Sequence, residues 1–297
     1  MFARRAFAAA IRFVAVILWM SFGGCRASAP RAPTVTEWTP ARRAALYERT
    51  DDWFPSADFW KPPEDGVEGV PEGMFPLIVE ACPDVGSGVT SFGRVVESLD
   101  GACGVDLLRP TVYAAASTMV RDGVVHEQQL FMWFYAADDA SPSAGIRASG
   151  LRVTMNPEGS PMVWEVISRN DDGAMVFVAQ SLEDAAADEF GVPLPGRRFS
   201  IEGDVSAAPD AVVARVLADG PVPMGPFVYL DAGRRVSTVI CRCMPSQADS
   251  FRETANYEIE SLQALPTCAI EFLPAWFGDV ESHKASPLER ALRWPKG

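Results

Sequence analysis

The chain has 297 residues, of which 48% are hydrophobic, and its 39 acidic side chains outnumber 26 basic ones, giving a net charge of -13 at pH 7. This balance argues against nucleic-acid binding and against docking on anionic headgroups, because both need clustered lysine and arginine. The length fits one large domain or two small ones, and the hydrophobic content is ample for a core.

The N-terminal residues 1–24 are arranged like an export signal. Arg4, Arg5 and Arg12 lie among the first twelve residues, which include no acidic residue. Residues 13–20 are apolar throughout. That run is shorter than the roughly 20 residues that a membrane-spanning helix requires. The pattern therefore predicts a signal peptide that is removed during export.

The segment Ser21-Phe22-Gly23-Gly24-Cys25 follows the apolar run and resembles the lipobox of bacterial lipoproteins. Phe22 departs from the leucine or alanine that is more usual in this motif. The resemblance implies cleavage before Cys25, a diacylglyceryl group on its sulfur and acylation of the new N-terminus. Because two or three acyl chains form a lasting anchor, the expected partner is a membrane, held through the N-terminal lipid. An ordinary signal peptide with a cysteine near the cut is the alternative.

The same resemblance implies a location in the cell envelope, facing the periplasm or the exterior. Arg26 stands where an inner-membrane retention signal usually has aspartate, so the outer membrane is favoured over the inner one. Arg4-Arg5-Ala6-Phe7 is similar to the twin-arginine export pattern. The choice between that route and the general secretory route stays open.

Differences in composition divide residues 25–297 into a stalk, a domain and a tail. Residues 25–37 are rich in alanine, proline and arginine, which predicts a flexible stalk. Residues 38–284 are expected to form a single domain. Its lead-in, 38–73, is expected to be irregular and held to the core by its aromatic side chains, after a short helix that starts at Thr39-Pro40. Residues 285–297 are expected to form a loose tail.

Turn signals predict antiparallel strands through the middle of the domain. Asp122-Gly123 separates two runs of strand-forming residues, 111–121 and 124–135, which predicts a hairpin. Asn156-Pro157-Glu158-Gly159 suits a type I turn. The strands of a three-strand meander are then expected at 151–155, 162–168 and 174–180.

After the meander, Ser181 is expected to cap a helix, with Asp184 in the position of a capping-box acid and Gly191 at the end. Further strands are predicted at 212–217 and 227–230, the second leading by a hairpin into 234–243. The predicted fold class is therefore α+β, with mainly antiparallel sheet built from hairpins and a meander and a few short helices.

His126 and His283 are the only histidines, and His283 lies near the expected tail, so a histidine-dependent mechanism would use His126. The chain has no Gly-x-Ser-x-Gly segment to nominate a serine nucleophile. His126-Glu127 also lacks the second histidine of a His-Glu-x-x-His zinc motif. The simplest interpretation of His126 is a hydrogen-bonded or half-exposed sheet residue.

Cys241 and Cys243 form the most suggestive pair. Alternation along a strand would place both sulfurs on one face, where they could bind a soft metal such as copper or zinc with His126 as a third ligand. Two thiols that bond to each other would instead form a strained, easily reduced ring. A structural disulfide to another cysteine, or a buried thiol, is the simpler alternative. No cofactor is predicted with confidence.

Cysteine number limits the disulfides. Once Cys25 carries lipid, five cysteines remain, and an odd number leaves at least one unpaired within the monomer. The preferred bridges are Cys82 with Cys103 and, for Cys268, one cysteine of the 241/243 pair.

Three functions remain compatible with the sequence. The first is a noncatalytic envelope lipoprotein that binds an envelope protein partner or has a structural role. The second is a metal-binding or thiol-redox protein that uses Cys241 and Cys243. The third is a hydrolase without a recognisable motif. The sequence does not determine the oligomeric state.

Overall fold

Strands dominate the structure, a computed structural model that describes residues 57–63, 74–81, 91–136, 145–168, 174–206, 209, 211–219, 225–231, 234, 236–240, 254–270, 272–273, 288 and 291–296. The predicted α+β class with mainly antiparallel sheet is confirmed.

The elements follow one another along the chain as β1 Ala57–Lys61, β2 Leu77–Ala81, β3 Phe92–Glu97, β4 Cys103–Asp106, β5 Thr111–Arg121, β6 Val124–Ala136, β7 Ile146–Met155, β8 Pro161–Ser168, β9 Ala174–Ala179, α1 Gln180–Phe190, β10 Ala211–Leu217, β11 Phe227–Leu230, β12 Val236–Ile240, β13 Thr254–Asn256, β14 Glu258–Ser261, a 3-10 turn Leu262–Ala264 and α2 Thr267–Ile270.

The large sheet has the order β10-β9-β8-β7-β6, and the other edge of β6 is shared by β5 and β3. β5 pairs with β6 from Tyr113 to Arg121, whereas β3 pairs with it only at Phe92 and Gly93. β4 lies beyond β3, and β14 lies beyond β5. All contacts in this sheet are antiparallel except β9 with β10 and β5 with β14.

The hairpin between β5 and β6 is confirmed, and its turn is the predicted Asp122-Gly123. Both residues have positive φ, 49° and 82°. Two left-handed residues produce a type I′ turn, whose twist matches that of the flanking strands. Glycine adopts this conformation without a steric penalty, and aspartate tolerates it better than most residues.

The meander of β7, β8 and β9 is also confirmed. At its first turn the Gly159 N–H donates to the Asn156 carbonyl (3.0 Å), and the Ser160 N–H donates to the Asn156 side chain (2.7 Å). Asparagine therefore closes the turn with both its backbone and its side chain, which is why it favours this position.

The small sheet has the order β12-β11-β2-β1-β13. The predicted β11–β12 hairpin is confirmed. The irregular lead-in is corrected over residues 57–61, which form β1 between β2 and β13. Its Trp60 is 4% exposed and packs edge-on against Phe92, so aromatic anchoring is confirmed at this residue. The helix expected after Thr39 lies outside the described residues.

The central strand β6 is buried on both faces. Its odd-numbered residues Phe131, Trp133 and Tyr135 share a core with residues of the small sheet, and Phe131 contacts Phe75 at 5.6 Å between ring centroids. Its even-numbered residues from Leu130 to Phe134 pack against the segment that contains α2. Because side chains alternate along a strand, β6 separates the core into these two layers.

Helix α1 begins two residues before the predicted start. Its N-cap is Ala179, without a side-chain hydrogen bond, so the prediction of Ser181 as the cap is wrong. Ser181 lies inside the first turn, where its backbone N–H and its hydroxyl both donate to Asp219 (2.9 and 2.8 Å). The Asp219 carboxylate, which is distant in sequence, therefore accepts hydrogen bonds in the first turn of the helix, where the Ser181 side chain was expected to be the acceptor. Gly191 ends the helix, as predicted.

The described part of the C-terminal segment is packed, so the prediction of a loose tail over 285–297 is wrong there. Leu288, Leu292 and Trp294 are 0%, 5% and 6% exposed. The Gly203 N–H donates to the Ala291 carbonyl at 2.8 Å, and the Lys296 N–H donates to Glu189 of α1 at 2.6 Å. These hydrophobic side chains belong to the main core of the protein.

Candidate functional site

Two of the predicted cysteines are brought together by the structure. Cys103 on β4 and Cys268 on α2 form a disulfide, with their Cα atoms 5.6 Å apart and 165 residues between them in sequence. The preferred bridges of Cys103 with Cys82, and of Cys268 with the 241/243 pair, are therefore wrong, because each sulfur forms one disulfide. Sequence proximity favoured Cys82, but the strand pairing of β3 and β4 carries Cys103 to the segment around α2.

The disulfide lies at the edge of a small hydrophobic cluster. Cys103 packs beside Leu262, Leu265 and Ala269, which cover the even-numbered face of β6. The bridge therefore fixes the β3–β4 hairpin to the segment that covers this face.

Four other predicted residues lie outside the described residues: Cys25, Cys82, Cys241 and Cys243. Lipid attachment and the cysteine metal site stay predictions. Within the described part of the chain, no helix has both the length and the apolar character needed to cross a membrane. No group of three or more potential metal-ligating His, Cys, Asp or Glu side chains occurs there either.

His126 is 9% exposed and lies on β6 opposite Met119 of β5. Its Nδ1 is 3.0 Å from the Met155 carbonyl, and because a carbonyl can only accept, Nδ1 carries the hydrogen. The imidazole lies under Trp294, with 6.3 Å between ring centroids, and the Arg121 guanidinium is 5.7 Å from the same indole. No serine hydroxyl is bonded to His126 among the described residues.

Alternation along β6 places His126 on the face opposite Phe131 and Trp133, which is also opposite the small sheet. β12, which directly precedes Cys241, belongs to that small sheet. The described strands therefore do not bring His126 to the face that β12 packs against. Because Cys241 and Cys243 lie outside the described residues, their combination with His126 stays a prediction.

A group of polar residues that the sequence did not suggest lies at the carboxyl ends of the parallel strands β2 and β11. We call Glu80, Ser91, Trp133, Tyr135 and Arg234 the Glu80 cluster. Glu80 is only 4% exposed and accepts hydrogen bonds from the Ser91 hydroxyl and from the Ser91 N–H (3.3 Å). The carboxyl edge of parallel strands is where α/β sheets commonly bind ligands.

Tyr135 forms the other half of this cluster. Its hydroxyl accepts from Trp133 Nε1 at 2.6 Å, and the Arg234 guanidinium lies 5.8 Å from its ring centroid. Burial raises the pKa of the Tyr135 phenol well above its ordinary value of 10, and the negative charge of Glu80 adds to this rise. The hydrogen bond from Trp133 and the charge of Arg234 oppose it. The phenol therefore stays protonated and neutral at physiological pH.

Three charged side chains lie at this edge: Asp58, Glu80 and Arg234. Asp58 of β1 lies directly opposite Glu80 in the antiparallel pair, where like charges repel. Arg234 supplies a nearby positive charge and donates to the Ala136 carbonyl at 2.9 Å. Its φ of 62° is uncommon for a bulky side chain. This conformation belongs to the turn between β11 and β12, where the Arg234 N–H donates to the Asp231 carbonyl at 2.7 Å.

Within the Glu80 cluster, Glu80 and Tyr135 are buried and bonded to Ser91 and Trp133. Ser91 and Arg234 are half-buried and are the members that could contact a polar group. The one sequence signal for the cluster was the placement of Glu80 directly after the apolar run Leu77–Val79 of β2. The remaining members come from β6 and from turns up to 154 positions away, so no local motif links them.

A second buried polar contact is the ion pair of Arg152 on β7 with Glu165 on β8, which are 9% and 2% exposed. Arg152 Nε donates to Glu165 at 2.8 Å. Next to it, Gln128 donates to the Thr154 hydroxyl at 3.0 Å. These groups are satisfied by one another across neighbouring strands, which is the pattern of a structural network.

No family model, no curated protein and no solved structure matches this chain.

Proposed function

We propose that this protein is a lipid-anchored lipoprotein of the cell envelope with a noncatalytic binding or structural role. The lipobox-like segment that ends at Cys25 carries the proposal. The Cys103–Cys268 bridge supports it, because disulfides persist in oxidising compartments and are rare in the cytosol. Arg26 favours the outer membrane as the site of attachment.

The surroundings of His126 and of the Glu80 cluster support a binding role. His126, the histidine on which a hydrolytic mechanism would depend, is 9% exposed and lies against the Trp294 ring. A catalytic base needs its reacting nitrogen directed at a nucleophile or a water. In the Glu80 cluster, Ser91 and Arg234 are half-buried and could contact a polar group of a partner.

Metabolic labelling with a fatty acid tests the anchor. The wild-type chain is expected to incorporate label and to fractionate with membranes, whereas Cys25→Ser is expected to do neither. Cys82→Ser is the matched control, because it removes a cysteine that the lipobox does not involve. Equal labelling of the Cys25→Ser variant and the wild type would refute the proposal.

The binding role is tested by chemical crosslinking in intact cells, followed by isolation of the full chain. An envelope protein should be recovered with the wild type, and its yield should fall with Arg234→Ala if the Glu80 cluster contributes. Robust turnover by the purified chain in an unbiased hydrolase screen would contradict the noncatalytic assignment.

A further inference from the structure

Residues 288 and 291–296, which we call the strap, are bonded to a loop and not to a strand of either sheet. The Arg293 N–H donates to the Ile201 carbonyl at 2.7 Å, and the Gly203 N–H donates to the Ala291 carbonyl at 2.8 Å. These two bonds belong to an isolated antiparallel bridge. Outside the strap, this loop is the one described part of the chain that shares backbone hydrogen bonds with it.

The loop is also held by contacts that do not involve the strap. Glu183 of α1 accepts hydrogen bonds from the N–H groups of Ser200 and Ile201, at 2.7 and 3.1 Å. Glu202 accepts from the N–H groups three and four residues before it, at 3.0 and 2.9 Å. Hydrogen bonds to a carboxylate are stronger than those between neutral groups. The loop therefore keeps its support when the strap leaves.

Four apolar side chains of the strap are buried. Three of them have the spacing of one face of a helical turn: Leu288, Ala291 and Leu292. The fourth, Trp294, lies against His126. In the same segment, Trp294 Nε1 and Arg293 Nε are buried without a hydrogen-bond partner. Because a buried donor without an acceptor is unfavourable, the bound strap carries a cost that the released strap does not.

The charges of the strap complement those of α1. The helix has four acidic side chains and no basic one: Glu183, Asp184, Asp188 and Glu189. Residues 288–296 have three basic side chains and one acidic one, although the whole chain has a net charge of -13. The Arg293 guanidinium lies 4.9 Å from the Phe190 ring centroid, and the Lys296 N–H donates to Glu189 at 2.6 Å. The surface beside α1 therefore favours a basic segment.

We propose that the loop 200–203, α1 and the part of β6 around His126 form a peptide-binding surface, which the strap covers and which a basic segment of a partner protein occupies when the strap is released. The partner segment has the chemistry of the strap: leucine side chains, a tryptophan two residues after the last leucine, and basic residues beside α1. The strap thus inhibits binding within its own chain. This surface lies on the opposite face of β6 from Trp133 and Tyr135 of the Glu80 cluster, and it does not involve Cys25.

A labelled synthetic peptide with the sequence of residues 288–296 tests the exchange on the detergent-solubilised full chain, by fluorescence anisotropy. Leu292→Asp places a carboxylate directly opposite Glu202 and should release the strap. Its affinity for the peptide should exceed that of the wild type at least about tenfold, because the closed strap lowers the fraction of chains that can bind. Lys296→Ser, at an exposed position of the same segment, is the matched control and should bind like the wild type. A peptide with alanine in place of the tryptophan should bind at least about tenfold more weakly.

Hydrogen exchange of the wild-type chain gives a second measurement that needs no variant. The N–H groups of Arg293 and Gly203 should exchange through a local opening that low concentrations of urea do not change, whereas those of β6 should exchange through global unfolding. Exchange of all these groups through global unfolding would overturn the proposal. So would a Leu292→Asp chain that keeps the Cys103–Cys268 bridge and binds the peptide no better than the wild type. Neither result depends on lipid labelling or on Arg234, so this proposal and the proposed function can fail separately.

Discussion

Removal of the Cys103–Cys268 bridge is expected to lower the free energy of unfolding by about 2–5 kcal/mol. The two cysteines are 165 residues apart. On the chain-entropy model, closing a loop of that length removes conformational entropy from the unfolded chain and raises its free energy by about 5 kcal/mol at 25 °C. This value sets the upper end of the range. Both cysteines are half-buried, so replacement by serine leaves little cavity to add to this loss.

The pairing of Cys103 with Cys268 also predicts how the single and double cysteine variants compare in stability. Cys103→Ser, Cys268→Ser and the double variant break the same bond, so all three should lose the same stability. If Cys103 and Cys268 belonged to two different bridges, the losses would add in the double variant, as they do for independent sites. Urea unfolding followed by tryptophan fluorescence measures the midpoints and slopes of the three variants.

Peptide mapping without reduction gives an independent measurement of the same bond. The wild type should yield a linked pair of peptides that contain Cys103 and Cys268. Cys82→Ser should yield the same linked pair. Additive losses of stability, or a Cys82–Cys103 peptide in the wild type, would refute the pairing and the reasoning from loop length.

Three further predictions follow from other parts of the fold. Trp294→Ala should cost about 3–5 kcal/mol, because the side chain is 6% exposed and covers His126, whereas Val192→Ala should stay within about 0.5 kcal/mol; thermal unfolding compares the two. Gly123→Ala should cost about 1–2 kcal/mol because its φ is 82°, whereas Gly104→Ala, whose added methyl would meet Val96 Cγ2 at an ordinary 3.5 Å, should not destabilise the strand; denaturant midpoints decide this. The raised pKa of Tyr135 means that the folded chain keeps a proton that the unfolded chain loses, so its contribution is full below about pH 10 and is lost as the pH rises above it. Tyr135→Phe should therefore flatten the decline of stability above pH 10, and an unchanged alkaline slope would contradict the burial of this phenol.

Much of the strand pattern was predictable because it depends on neighbouring residues. Asp122-Gly123 and Asn156 select their turns by backbone conformation and by short-range hydrogen bonds, so the hairpin and the meander could be placed from sequence alone. Helix α1 ends at Gly191 for the same local reason. Its start was misjudged because Asp219, 38 residues after Ser181, binds the groups expected to form a local cap.

The contacts between distant segments could not be predicted in this way. The register of β1 with β13 joins residues about 195 positions apart, and such backbone pairing leaves no mark on either strand alone. Trp294 was assigned to a tail because a short, charged sequence gives no periodic signal. It is buried because the face of β6 that carries His126 needs an apolar cover.

The sequence by itself determined the antiparallel hairpins and the α+β class, because each hairpin depends on a short contiguous motif. Export and lipid attachment at Cys25 also follow from a short motif and stay predictions. Only the tertiary structure decided that Cys103 bonds to Cys268 and that Glu80 and Tyr135 lie in one buried cluster. The tertiary structure also showed that side chains near the end of β5, such as Val120, are exposed. These features depend on which strands become neighbours, and burial of hydrophobic surface over the whole chain sets that choice.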